Sequence, residues 1–310
     1  MNIIFMGTPE FALPSLKSLI ESPDKILAII TQPDRPRGRG QKPQPSPVKE
    51  IGESCGIPVQ TFDSLKTSQA QQFLNSFSPD LIVVVAYGKL LPEAILSIPR
   101  YGCINAHASL LPQYRGAAPI QRALMQGVKE TGVTIFKLIQ ALDAGPILWK
   151  EAISVGANET FGSLHDRLAN LSAKGLIATC EMLKSGSANP ALQDDNLATF
   201  APKLHPEEEL IEWGATAETI HNYIRALDPF PGAYTTFKGK RLKVFGSRVI
   251  ATKGTGTPGA IVEIKSDGAV IQTGSGKILL TEVQPENKKR MTAQDFAHGV
   301  RLSTTDQLGT

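Results

Sequence analysis

Short apolar runs alternate with amphipathic segments along roughly the first half of the chain, and each pair reads as a strand followed by a helix. Ile3-Ile4-Phe5-Met6-Gly7 is an apolar run closed by glycine, and Thr8-Pro9-Glu10 opens a periodic segment through Ile20. Thr8 is placed to cap that helix, with Pro9 at its first position. Ile26 to Thr31 predicts a second strand and Ile57 to Thr61 a shorter one. Asp80 to Gly88 is the strongest strand signal, an unbroken apolar stretch of the kind a parallel strand buried on both faces requires. Cys103–His107, Gly132–Leu138 and Ile147–Ile153 predict further strands. Helices are predicted from Pro47, capped by Ser46, to about Cys55, from Ala117 to Met125 with Pro119 in its first turn, and from Thr160 to Leu183. This alternation implies an α/β, Rossmann-like parallel sheet. Only one glycine lies in the first strand–helix turn, so G-x-G-x-x-G is absent and a dinucleotide is not implied.

The pattern changes near Ser185. Small and turn-forming residues run without a period to Lys203, which predicts a linker over 187–205 between an N-terminal domain, 1–186, and a C-terminal one, 206–310. Helices are predicted over Pro206–Trp213 and Thr216–Leu227. Short strands punctuated by glycines from Gly232 to Gly276 follow, and they suggest a smaller OB-like β-barrel.

Composition narrows the function. A length of 310 residues suits two domains. A net charge of only +3 demands no polyanionic partner, so any nucleic-acid binding must rest on local clusters. Two regions qualify. Loop 33–47 carries Arg35, Arg37, Arg39 and Lys42 against Asp34 alone, and Lys238, Lys240, Arg241, Lys243, Arg248 and Lys253 follow one another with no carboxylate between them. Lys288-Lys289-Arg290 adds to the second. Charge runs are usually solvated faces, but the arginine fork suits phosphate, so the basic loop is a candidate clamp for a nucleic-acid end. Three cysteines (Cys55, Cys103, Cys180) form neither a disulfide framework nor a zinc pattern, as in a reducing cytoplasm. No signal peptide or membrane segment is read, and His165, His205, His221 and His298 have no partners at ligand spacing, so no metal is expected.

The stretch from Cys103 to Gly116 carries the candidate chemistry. Alternation along a strand sends Asn105 and His107 to one face, an amide donor beside a side chain that titrates near neutral pH. Pro112 fixes the following turn and Gly116 lets the chain leave it tightly. Such a pair suits acyl transfer, one group polarising a carbonyl oxygen and the other moving a proton, although an isolated Asn-x-His is more often a satisfied polar pair. Cys103 can share that face, as a buried strand cysteine or as a nucleophile paired with His107. Asp143, before Ala144-Gly145, reads by itself as an Asx turn.

The longer run Asn105-x-His107-x-Ser109-Leu110-Leu111-Pro112, with Tyr114-Arg115-Gly116 behind it, resembles the motif of the folate-dependent formyltransferases. Those enzymes take the formyl group from 10-formyltetrahydrofolate. The resemblance implies a catalytic set of Asn105, His107 and Asp143, the last matching a D-x-G context after the following strand. It also implies folate contacts from Ser109, Leu110, Leu111 and Pro112, with Ala86, Tyr87 and Gly88 lining the pterin pocket, and no metal. Across essentially the whole chain the likeness is to the branch of the family that formylates methionine on charged initiator tRNA, whereas the branch acting on glycinamide ribonucleotide resembles only the first domain. On that branch Arg35, Arg37, Arg39, Lys42, Lys240, Arg241, Lys243 and Arg248 are expected to hold the tRNA, and the protein to act as a cytoplasmic monomer. The departures are Pro43-Gln44, and Gln113 where the family often has a cation, which leaves Arg115 as the only cation of its turn. The alternatives are a formyltransferase for an aminosugar nucleotide and a tRNA-binding protein without activity. The latter has no use for a proton shuttle at a sheet edge.

Overall fold

A computed structural model describes residues 1–37 and 42–309, with the side chains of Arg37 and Lys42 excepted. Arg39 lies outside the described residues. The chain forms two compact units: 1–119 with 130–153 and 165–202, and 120–129 with 154–164 and the chain from Lys203 onward. No helix among the described residues is long and apolar enough to cross a membrane.

The first unit is built on β1 (Asn2–Gly7), β2 (Lys25–Thr31), β5 (Val59–Thr61), β6 (Leu81–Val85), β7 (Cys103–His107), β9 (Glu130–Lys137) and β10 (Ile147–Ser154). They form one sheet in the order β10-β9-β7-β6-β1-β2-β5. The five strands from β7 to β5 are parallel, while β9 runs antiparallel to β7. Strands buried on both faces need continuous apolar sequence, and all five residues of β6 are buried, as are Ile3 to Gly7 of β1. Strand order reverses between β1 and β6, so the crevice at their carboxyl ends is the place where open α/β sheets bind ligands. Helices α1 (Leu13–Glu21), α2 (Pro47–Ser54), α3 (Ser68–Ser76), α4 (Glu93–Leu96) and α6 (Phe161–Ser185) belong to this α/β succession, α6 reaching into it from His165 onward.

Several local expectations are corrected. Thr8 caps nothing: a 3-10 turn (Glu10–Ala12) intervenes, α1 begins at Leu13 with Pro14 in its first turn, and Thr8 Oγ1 donates to Tyr87 O at 3.4 Å. Ser46 does cap α2, its hydroxyl accepting from the Lys49 N–H at 3.1 Å. Helix α3, opened by Thr67, was not anticipated. The described parts of loop 33–47 stay out of the main sheet, but β3 (Arg35–Arg37) and β4 (Lys42–Gln44) pair into a ribbon of their own with Pro36 opposite Pro43. The stretch read as a linker is fastened to the first unit as far as Pro202. Ala191 exchanges backbone hydrogen bonds with Ile147, and β11 (Phe200–Ala201) pairs in parallel with β8 (Arg115–Gly116). Backbone pairing and polar side chains hold it, so it needs no hydrophobic period.

In the second unit β12 (Ala233–Phe237), β13 (Lys240–Ala251), β16 (Lys277–Pro285), β15 (Gly268–Gln272) and β14 (Ile261–Lys265) form an antiparallel sheet in that order, with β17 (Met291–Thr292) on β16. Its core joins Ile220 and Ile224 of α7 (Ala217–Ala226) and Phe296 of α8 (Ala293–Val300) to Leu242, Val244, Ile271, Ile278 and Leu280. Helix α5 (Pro119–Met125) belongs here from Ile120 on. The helix predicted over 206–213 shrinks to a 3-10 turn, Pro206–Glu209. The Glu208 carboxylate accepts from the His205 N–H at 2.9 Å and closes that turn, and the Ile211 N–H then donates to Tyr234 O at 2.8 Å, drawing the chain out alongside β12.

Candidate active site

His107 ends β7, where the sheet presents its carboxyl edge, and is 6% exposed. Its Nε2 lies 2.8 Å from the Tyr114 carbonyl oxygen. A carbonyl only accepts, so Nε2 carries the hydrogen and Nδ1 is left to exchange a proton. Nδ1 faces Asp143 Oδ2 at 3.7 Å. That distance is too long for a hydrogen bond and short enough for strong electrostatic coupling. Asn105 lies two residues earlier on the same face of β7, half-buried, and its amide makes no hydrogen bond among the described residues. His107 and Asp143 therefore meet at the carboxyl edge of the sheet, with Asn105 two residues before His107 on the same strand.

Asp143 has a φ of +47°, a left-handed conformation costly for a residue with a side chain and kept only where the surroundings enforce it. One such contact is the Gly116 N–H, which donates to Asp143 Oδ2 at 2.8 Å. Gly116 itself sits at φ +126°, and a Cβ there would run into the Ala201 carbonyl, so the close approach of β8 to β11 requires glycine.

The loop after β7 departs from expectation in detail. Ser109 is fully buried and its hydroxyl donates to Gln113 O at 2.6 Å, while Leu111 is fully buried as well. Thr134 Oγ1 donates to Ser109 O and accepts from the Leu111 N–H. Ser109 and Leu111 thus shape the loop from inside, and of the four expected folate contacts Leu110 and Pro112 are the partly exposed ones. Arg115 is also buried, its guanidinium held by Gln193 and Asp195. At the end of β6, Ala86 (φ +49°) and Gly88 (φ +84°) are exposed, but the Tyr87 ring turns into the core, where burial pushes its hydroxyl up to about 12. Ala86 and Gly88, not Tyr87, are the exposed residues there, and the Tyr87 carbonyl accepts from Thr8 Oγ1 and Gln32 Nε2. Nearby loops carry exposed apolar side chains that periodicity could not flag: Leu90, Ile139 and Leu142, on segments tied by Gln140 Nε2 to Glu93 Oε2 at 2.9 Å.

Cys103 is buried and points to Ile95 O at 3.7 Å. Burial pushes its thiol up to about 12, with Lys137 pulling weakly the other way, so a nucleophilic thiolate is not on offer. No cluster of three or more His, Cys, Asp or Glu able to hold a metal ion occurs among the described residues.

The basic residues divide. Arg35, Lys240 and Arg248 are exposed. Arg241 is paired with Glu209 at 2.7 Å and lies 3.7 Å over the Tyr234 ring, and Lys243 Nζ donates to Pro231 O. Arg290 is likewise occupied by Glu282 and Asp228.

A Rossmann-like sheet with His107 and Asp143 at its carboxyl edge is followed in the chain by a unit built on an antiparallel β-sheet, and comparison with known proteins gives the family. The chain belongs to the formyl transferase family: the family's model matches residues 1–180 and the model of its C-terminal domain matches residues 203–301. It is 46% identical to the methionyl-tRNA formyltransferase of Moorella thermoacetica, over 100% of this chain and 99% of that one. Against the methionyl-tRNA formyltransferase of Bacillus subtilis the identity is 42%, over 99% of this chain and 98% of that one. An N-formyltransferase from Helicobacter canadensis, solved with folinic acid and dTDP-3-aminofucose, shares the fold with a TM-score of 0.67 at 17% identity, covering 91% of this chain and 98% of that one.

Proposed function

We infer that the protein transfers the formyl group of 10-formyltetrahydrofolate to the amino group of methionine on charged initiator tRNA. The observation that carries this reading is the Asp143 carboxylate 3.7 Å from His107 Nδ1, on the strand whose Asn105 side-chain amide has no hydrogen-bond partner among the described residues. Full-length relatives named for this reaction support the choice of acceptor.

In the reaction the methionine nitrogen attacks the formyl carbon, a tetrahedral adduct forms, and the bond from that carbon to the folate nitrogen breaks. Asn105 donates to the oxygen as its charge develops, an effect of about 3–4 kcal/mol. His107 accepts the proton lost by the attacking nitrogen at Nδ1 and returns it to the leaving nitrogen, typically worth about 10²–10⁴-fold. Asp143 balances the charge on the ring during that exchange. The exposed backbone at Ala86 and Gly88 offers hydrogen bonds to the polar edge of a folate, and Leu90, Ile139 and Leu142 offer apolar contact to its aryl portion. Leu110 and Pro112 remain candidates for folate contact; Ser109 and Leu111 act through loop shape. Arg35, Arg37, Arg39 and Lys42, with Lys240 and Arg248, hold tRNA phosphates, so binding weakens steeply with salt. Arg241 and Lys243 must exchange their present partners to join them. The reading carries with it a cytoplasmic location and action as a monomer.

The test is incubation with 10-formyltetrahydrofolate and charged initiator tRNA, followed by detection of formylmethionine. Tight tRNA binding without product would make this a binding protein, and transfer confined to an aminosugar nucleotide would make it a sugar formyltransferase.

A further inference from the structure

Within 191–197 every residue is exposed except Gln193. Its amide is saturated. Nε2 donates to Asp143 O and Gly145 O, both at 2.8 Å, and Oε1 accepts from Arg115 Nε at 3.2 Å and Nη2 at 2.8 Å. The orientation is unambiguous, because a flipped amide would set its NH₂ against a guanidinium and its oxygen against two carbonyls. A closed circuit results. Gln193 grips the backbone of the Asp143 turn and the Arg115 side chain, and the Gly116 N–H next to Arg115 grips the Asp143 carboxylate. Asp195 braces the same guanidinium at 2.8 Å, and the Thr199 hydroxyl accepts from the Tyr114 N–H at 2.9 Å. Tyr114 is the residue whose carbonyl holds His107 Nε2.

We infer that Gln193 is a positioning residue for formyl transfer, holding Asp143 in its left-handed turn so that the carboxylate faces His107. The inference rests on the proposed function. A non-glycine residue at positive φ relaxes unless held, and the Asp143 and Gly145 carbonyls of this turn are held by one side chain. A displacement of about 1 Å at a catalytic group is enough to cost about 10²-fold.

Gln193→Glu is the discriminating change. It keeps the shape and still accepts from Arg115, but it sets a carboxylate oxygen against the carbonyls of Asp143 and Gly145. With wild-type enzyme first shown to formylate charged initiator tRNA, kcat of Q193E should fall about 30-fold or more while KM for the folate stays within about threefold, the signature of an interaction needed in the transition state alone. In an Asp143→Asn background the same change should cost less than about threefold, because residues acting as a unit are not additive. Should Q193E not fold, Gln193→Ala serves in the same cycle. An active wild type with Q193E within threefold of it, a full repeat of the loss on top of D143N, or loss of the fold in both variants would each overturn the inference. An inactive wild type would instead overturn the reading of function.

Discussion

Asp143→Asn tests the electrostatics of the site with little change in shape. The new amide oxygen can still accept from the Gly116 N–H, so the turn keeps that contact, but the charge 3.7 Å from His107 Nδ1 is gone. At an effective dielectric of about 20, a full charge on the ring at that distance is stabilised by about 4.5 kcal/mol. The His107 and Asp143 side chains are only 7% and 11% exposed, so solvent screens the pair weakly. If the proton is half transferred in the transition state, about half of that energy is felt there. The corresponding drop in kcat is about 45-fold at half transfer and rises to about 2000-fold if the full charge is felt. The assay is single-turnover formylation of charged initiator tRNA at saturating folate, with the folate KM and melting temperature measured on the same preparations. A loss smaller than about fivefold would refute charge compensation as the role of Asp143. So would a larger loss that appears wholly in KM, since that would place Asp143 in binding rather than proton transfer.

Asn105→Ala should lower kcat by about 10²–10³-fold with folate binding nearly unchanged, measured by kinetics and by folate titration. Cys103→Ala should keep turnover within about threefold of wild type, because a thiol held protonated by burial supplies no nucleophile; a loss of several decades would reinstate it. His221 accounts for part of the acid sensitivity. Burial holds its pKa below the usual value, with the Ala157 carbonyl opposing, so the folded protein keeps the ring neutral while the unfolded chain takes up a proton. Its contribution is therefore flat above about pH 6.5 and becomes destabilising as pH falls below that point. His221→Asn should lose less melting temperature between neutral and mildly acidic pH than wild type does, and an equal loss would exclude the residue as a source.

The parallel sheet was legible because its strands are buried on both faces and must be written in continuous apolar residues, as Leu81–Val85 is. Helix ends were legible where one side chain does the capping, as at Ser46, and misread at Thr8, whose hydroxyl is claimed by the end of β6 instead. The stretch Pro206–Trp213 has helix-forming composition. It is drawn out of a helix by the Ile211–Tyr234 pairing, a tertiary contact that no local propensity encodes.

The site divides along the same physical line. Asn105 and His107 could be paired from alternation alone, because both stand on one strand. Asp143 could not: its approach to His107 depends on a turn held from elsewhere, and only the motif resemblance pointed to it. Gln193 left no signal at all. Its effect passes through four hydrogen bonds to backbone and guanidinium, in a segment that buries almost nothing, so neither periodicity nor charge marks it. Arg115, the lone cation of its turn, is likewise not legible from charge: it is buried and spent on Gln193 and Asp195. Buried arginines must find acceptors, so an arginine beside a catalytic motif is as good a pointer to a missing structural partner as to a substrate. Here that partner is the segment whose polar, aperiodic sequence made it look like a linker.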